Sequence, residues 1–244
     1  MLINATSWLL LGVHAHGVLH VGAHDGEEAR FYHGQGWGPV IWVEMLPEKV
    51  ARLRARFPDT TRDLVVEAAC WDEDGKLVPL HRASNAQSSS LLEPREHLTE
   101  HPGVSFAADG WLTTRRLDSV LPGEVDFDLI SIDSQGAELH VLRGLGSWLD
   151  RVRWAYLEIN TKLLYEGAAL LPEIDAFMGE RGFVRVARKM AGDHGWGDAL
   201  YRRLTDLPRR RRLALWLRSR LWHGAMRACV PRKMPPWDNW AFPW

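Results

Sequence analysis

The run Gly-Val-Leu-His-Val-Gly-Ala-His-Asp-Gly at 17–26 constrains the fold of this chain more than any other stretch. An apolar strand ending at Val21 meets a tight turn bracketed by Gly22 and Gly26, and the turn opens directly into helix-compatible residues 27–32. Glycine at such a turn lets the backbone approach a ligand, and the amides at a helix N-terminus favour a carboxylate or phosphate. Residues 39–44, Pro-Val-Ile-Trp-Val-Glu, read as a second buried strand. Its last residue, Glu44, lies about twenty positions beyond the turn, where nucleoside-binding folds place the carboxylate that holds ribose hydroxyls. The turn is Gly22-x-x-x-Gly26 and not G-x-G-x-x-G, because His24 occupies the second glycine position. A dinucleotide pyrophosphate fits poorly beside that side chain, which argues against a nicotinamide oxidoreductase.

The same alternation continues along the chain. Pro47 stands at a first helical position, with Val50, Leu53 and Phe57 at helical spacing, and residues 63–69 form a third strand, so Gly22, Glu44 and Ala69 should share the carboxyl edge of a parallel sheet. Residues 77–81 could add a short strand, 82–90 form a polar loop with Ser88, Ser89 and Ser90 facing that edge, and 113–121 are spaced for a helix, with Asp118 supporting the sheet's edge. A buried strand over 127–132 ends at Asp133 and precedes a helix over 136–145. Residues 153–160 repeat the arrangement, placing Glu158 and Asn160 at another strand end. A helix over 170–181 and a closing hairpin of 183–188 with 199–203 bring the count to seven strands.

With 244 residues, of which 46% are hydrophobic and 25% charged, one α/β domain with a substantial core is expected. The expected division is a helical cover over 1–16, the main domain over 17–204 and an extension over 205–244. Cys70 and Cys229 make neither a disulfide framework nor a zinc pattern and read as packed thiols of a reducing compartment. The N-terminal apolar burst at 8–11 is too short for a signal or a span, so a cytoplasmic location is expected. The net charge of −1 hides an asymmetry: eleven Arg or Lys and one acid, Asp206, fall between Arg202 and Lys233. Leu213, Trp216, Leu217 and Leu221 share one face of a basic helix there. Docking on the body, homodimerisation or peripheral contact with the inner face of an anionic membrane suits it, and nucleic acid suits it least. The aromatic run 235–244 is expected to pack, with cover of the acceptor site as one use for it.

Taken together, Val-Gly-Ala-His-Asp-Gly-Glu-Glu-Ala at 21–29, Val-Glu at 43–44, Arg-Leu-Asp at 116–118, Ile-Asp-Ser-Gln-Gly-Ala-Glu at 132–138, Val-Leu-Arg-Gly at 141–144 and Leu-Tyr-Glu-Gly at 164–167 resemble the FkbM family of S-adenosylmethionine-dependent methyltransferases. The resemblance implies a Rossmann-like, class I methyltransferase sheet of seven strands in the order 3-2-1-4-5-7-6 with helices on both faces. It implies methyl transfer to a hydroxyl of a sugar, glycan or natural product. It places Gly22, Ala23 and Gly26 under the methionine part of the cofactor, Glu44 on its ribose and Met45 against its adenine. Family members commonly carry Glu where this chain has Gln135, so a second carboxylate role there does not carry over.

Methyl transfer from a sulfonium is an in-line displacement, so the protein must hold oxygen, carbon and sulfur collinear in a dry pocket and help the hydroxyl lose its proton. The crevice candidates for that proton are Asp133, Glu158, His24 and His140, and His24 and Ala69, at the same edge, are also candidate cofactor contacts. Asp133 is preferred because it ends the strand beside the cofactor strand, where it can also touch cofactor. Asp25 either caps the following helix or contacts cofactor. Ser88, Ser89, Ser90, Gln135 and Asn160 are candidate acceptor contacts. Asp133, Glu158 and Asn160 could offer oxygens to Mg2+, though nothing in their spacing demands it, and the histidines at 14, 16, 20 and 24 read as packed or surface residues. The alternative is a glycan-assembly binding protein on the same scaffold, without turnover, held at a membrane surface by its C-terminal helix.

Overall fold

A computed structural model describes residues 1–228. It begins with α1 (Ala5–Leu11), β1 (Val18–Val21), α2 (Ala29–Gly34), β2 (Val40–Glu44), α3 (Pro47–Arg56) and β3 (Asp63–Glu67). The middle of the chain adds β4 (Ala69–Cys70), β5 (Leu77–Ala83), α4 (His97–Glu100), β6 (Phe106–Arg115) and α5 (Leu117–Val120). It closes with β7 (Leu129–Ile132), α6 (Glu138–Gly144), β8 (Trp154–Asn160), α7 (Leu171–Glu180), β9 (Phe183–Met190), β10 (Trp196–Arg203) and α8 (Arg209–Ala228).

Seven strands pair in the order β3-β2-β1-β7-β8-β10-β9. Counted among those seven alone the order is 3-2-1-4-5-7-6. Chain-wide numbers differ because β4, β5 and β6 intervene and build a second, three-stranded sheet, β4-β6-β5, which the sequence pattern did not announce. β1 is parallel to both neighbours, and Val21 aligns with Val43 of β2 and Ile132 of β7. The next residues, Gly22, Glu44 and Asp133, therefore emerge side by side at one edge, where the connections leaving β1 and β7 depart in opposite directions.

Every residue of β1, β2, β7 and β8 is buried, as expected of parallel strands covered on both faces. Alternation divides them between two cores. Leu19, Val21, Ile130, Ile132 and Leu157 pack against α6 and α7 through Val141, Leu142, Ile174 and Met178. Val18, Val40, Trp42, Leu129 and Tyr156 pack against Trp8 and Leu11 of α1, Tyr32 of α2, Leu53 of α3 and two residues of α8, Leu215 and Trp222.

Local differences from the sequence expectation have local causes. α2 starts at Ala29, because left-handed His24 (φ 48) and Gly26 (φ 71) extend the turn. The third strand breaks at Ala68, and Ala69 and Cys70 cross to pair with Thr114 and Arg115. The helix expected over 113–121 shrinks to Leu117–Val120, since Thr113 pairs with Leu77 in the small sheet. Asp118 bonds to Arg116 rather than to a sheet edge. Among the described side chains of α8, Leu215, Ser219 and Trp222 are buried, whereas Leu213, Leu217 and Leu221 of the expected packing face are exposed. Cys229 and the aromatic run 235–244 lie outside the described residues. No helix among the described residues is long and apolar enough to cross a membrane.

Candidate active site

A cavity of about 560 Å³ opens at the carboxyl ends of β1, β2, β7 and β8. Of the residues assigned to cofactor, Gly22, His24, Glu44, Met45 and Asp133 line it. Ala23, Asp25, Gly26 and Ala69 are not in its walls. Ala69 packs with Trp71 and Val78 instead, and its chain neighbours Ala68 and Cys70 face the cavity. The Cys70 thiol is buried and pushed up to about 12 by desolvation, so it is an inert wall.

The two glycines of the turn have different reasons. Gly22 has φ +79, and a Cβ there would stand 1.8 Å from the Asp133 carbonyl oxygen. The close approach it permits is thus between β1 and β7. Gly26 has φ +71, and a Cβ there would stand 2.8 Å from the Phe57 ring at the end of α3. It serves packing and does not reach the cavity.

Glu44 is buried, and burial pushes its carboxyl up while three backbone amides favour the charged form. Oε1 accepts from the amides of Met45 (2.8 Å) and Leu46 (2.9 Å), and Oε2 from that of His24 (2.8 Å). A carboxylate offers about four lone-pair directions, so Oε2 retains one for a ligand hydroxyl. The left-handed backbone of His24 is what aims its amide at Glu44.

Both nitrogens of the His24 ring are engaged. Nδ1 lies 2.7 Å from Glu27 Oε1, and Lys49 Nζ donates to Nε2 at 2.7 Å and to Asp25 Oδ2 at 2.7 Å. Asp25 therefore holds Lys49 and does not cap α2, whose N-cap residue is Glu28. His24, Asp25 and Glu27 bring three ligand atoms within 4.8 Å, the one such grouping among the described residues. The buried Lys49 ammonium already supplies their positive charge. Lys49 was missed from sequence because a lysine in an amphipathic helix ordinarily faces water.

On the opposite wall, Gln135 Nε2 donates to Asp133 Oδ1 (2.6 Å) and to Glu158 Oε2 (2.8 Å). The Tyr165 hydroxyl lies 2.9 Å from Gln135 Oε1 and 3.0 Å from the Ser88 carbonyl, and Ser90 Oγ donates to the Gln135 carbonyl at 2.7 Å. Desolvation first, and the neighbouring Asp133 second, drive the Glu158 carboxyl well above its usual range. Buried Glu158 and exposed Asp133 thus meet through the Gln135 amide, which donates to both. A donor amide lodged between the two carboxyl groups makes this a hydrogen-bonded cluster rather than a cage for Mg2+. Tyr165 lies in the Leu-Tyr-Glu-Gly motif, yet no spacing rule connects it to Gln135.

The remaining candidates separate. Ser88 and Ser89 line the cavity, while Ser90 stands behind Gln135. Asn160 is fully buried outside the walls, and His140 stacks on Trp71 at 3.7 Å, also outside them. The lining also includes His97, His101 and Trp196, none of which the sequence singled out. Behind Asp133, the buried Glu138 carboxyl accepts from the amides of Ser134 (3.0 Å) and Gly136 (3.1 Å).

Residues 20–185 match the methyltransferase FkbM domain. The 2-O-methyltransferase NoeI of Sinorhizobium fredii is 32% identical over 159 residues, covering 62% of this chain and 65% of that protein. The chain thus spans just under two thirds of that relative's length. Among solved structures, a methyltransferase FkbM from Methylobacillus flagellatus aligns with a TM-score of 0.48 at 15% identity, over 77% of this chain and 43% of that one. A ribosomal protein L11 methylase from Lactobacillus delbrueckii subsp. bulgaricus aligns with a TM-score of 0.45 at 16% identity, over 81% and 76%.

Proposed function

The chain belongs to the FkbM methyltransferase family, and from that premise we propose that it is an S-adenosylmethionine-dependent O-methyltransferase acting on a hydroxyl of a sugar, glycan or natural product. The name of the Sinorhizobium fredii relative, a 2-O-methyltransferase, supports an oxygen acceptor. The cavity suits a nucleoside-sized group: Oε2 of Glu44 keeps a lone pair for a ribose hydroxyl, and Met45, Leu46, Leu91 and Ala137 provide apolar wall for a base. When bound, S-adenosylmethionine supplies a methyl group on a sulfonium, open to in-line displacement.

The chain's own work is orientation and proton handling. Asp133 is the base: its exposed carboxylate stands at the cavity wall and takes the proton from the acceptor hydroxyl as the oxygen attacks. Burial and the Asp133 charge raise the Glu158 carboxyl and so favour its neutral form, while Gln135, donating to both side chains, fixes the separation of the two. The observation that carries the reading is this juxtaposition of a ribose-competent Glu44 at the end of β2 with Asp133 after β7 and Glu158 on β8, across one cavity.

Calorimetric titration and turnover with a panel of hydroxylated saccharides test it. Glu44→Ala abolishes S-adenosylmethionine binding, whereas Asp133→Ala binds it and loses turnover by about a hundredfold or more. Wild-type affinity in Glu44→Ala removes the ribose assignment. Unchanged turnover in Asp133→Ala removes the base.

A further inference from the structure

α8 is amphipathic in the direction opposite to that required for burial alone. It docks through Leu215, Ser219 and Trp222, and Ser219 Oγ donates to the Val186 carbonyl of β9 at 2.6 Å. The opposite side carries Leu213, Leu217 and Leu221, spaced four apart so that they form one row, with exposures of 44%, 49% and 65%. α1, which packs beside α8, exposes Leu9 and Leu10. Around the row lie Arg209, Arg210 and Arg220, all exposed, and none has an ion-pair partner among the described residues. α8 contains no acid.

We infer that this face of α8 is a docking surface for an anionic lipid bilayer, on which the helix lies parallel to the plane. An interfacial helix buries an apolar row at the acyl boundary and sets cations at the level of the phosphates, and this face offers both together. A second copy of the chain is the poorer occupant, because a two-fold contact through this face sets arginine against arginine. Nucleic acid is poorer as well, since the row is aliphatic and the half-buried Trp216 ring beside it already has the Arg220 guanidinium over it, 5.3 Å from the centroid.

Flotation of the full chain with vesicles tests the assignment. The protein floats with phosphatidylcholine vesicles containing phosphatidylglycerol, does not float with phosphatidylcholine alone, and is released by salt. Leu217→Glu with Leu221→Glu abolishes flotation, and each of Arg209→Ala, Arg210→Ala and Arg220→Ala lowers the partition about fivefold. Thermal melts and far-ultraviolet dichroism of these variants stay at wild type, because the substituted side chains are exposed. The inference is overturned by absence of flotation, or by equal flotation on neutral vesicles. It is also overturned by a dimer in light scattering that the double Leu variant dissolves, or by retention on a DNA duplex without vesicle binding.

Discussion

Glu138 shows how burial turns an ordinary side chain into a pH-dependent one. Its carboxyl is pushed up to about 7 from an ordinary 4.5, chiefly by desolvation, with the charge of Asp133 adding to the rise. The folded state thus holds a proton that the unfolded chain has released. The stabilisation is complete below about 4.5 and is lost as pH rises through about 7. Glu138→Gln keeps an oxygen for the amides of Ser134 and Gly136 and removes the titration. Thermal melts at about pH 5 and about pH 8 should show wild type losing stability relative to the variant on the alkaline side. A pH-independent difference would contradict this environment. At the same scale, Glu44 and Asp133 were legible because each ends an apolar run, which needs only local pattern. Lys49, Gln135 and Tyr165 were not legible as partners, because their meaning lies in atoms contributed by other elements.

The join between β1 and β7 is the tightest constraint among the elements of the site. Gly22→Ala combines a left-handed backbone with a Cβ 1.8 Å from the Asp133 carbonyl, so one strand end must move. A loss of at least about 2 kcal/mol in urea unfolding is expected, with weakened cofactor binding. Gly36→Ala is the control, because Gly36 has a similar φ of +72 but nothing within 4 Å. It should cost only about 1 kcal/mol, the backbone penalty alone. Equal losses in the two variants would mean that the contact with Asp133 is soft. The strand, turn and helix succession was readable from periodicity. That residues 113–115 belong to β6 was not, since apolar spacing over so few residues fits a helical turn and a strand alike.

At the scale of the molecule, α8 closes the second core over β9 and α1. Trp222 is 2% exposed there, and Trp222→Ala should cost about 3 to 5 kcal/mol of docking. Tryptic cleavage at arginines 209–212 should accelerate in that variant while the sheet keeps its own melting transition. Leu221→Ala, on the outward row, should leave cleavage at the wild-type rate. Matching rates in both variants would place the helix free of the body.

The sequence by itself determined the parallel sheet, because strands buried on both faces must be continuous apolar runs and must alternate with helices. It also determined which acids stand at the strand ends, since a strand end follows from where such a run stops. Only the tertiary structure decided that Gly26 serves Phe57, that Lys49 occupies the His24 ring, that Gln135 yokes Asp133 to Glu158, and that α8 turns its leucine row outward. The physical reason is common to all four. Periodicity orders residues within one element, whereas the occupancy of a lone pair or a helix face depends on which other element arrives there first.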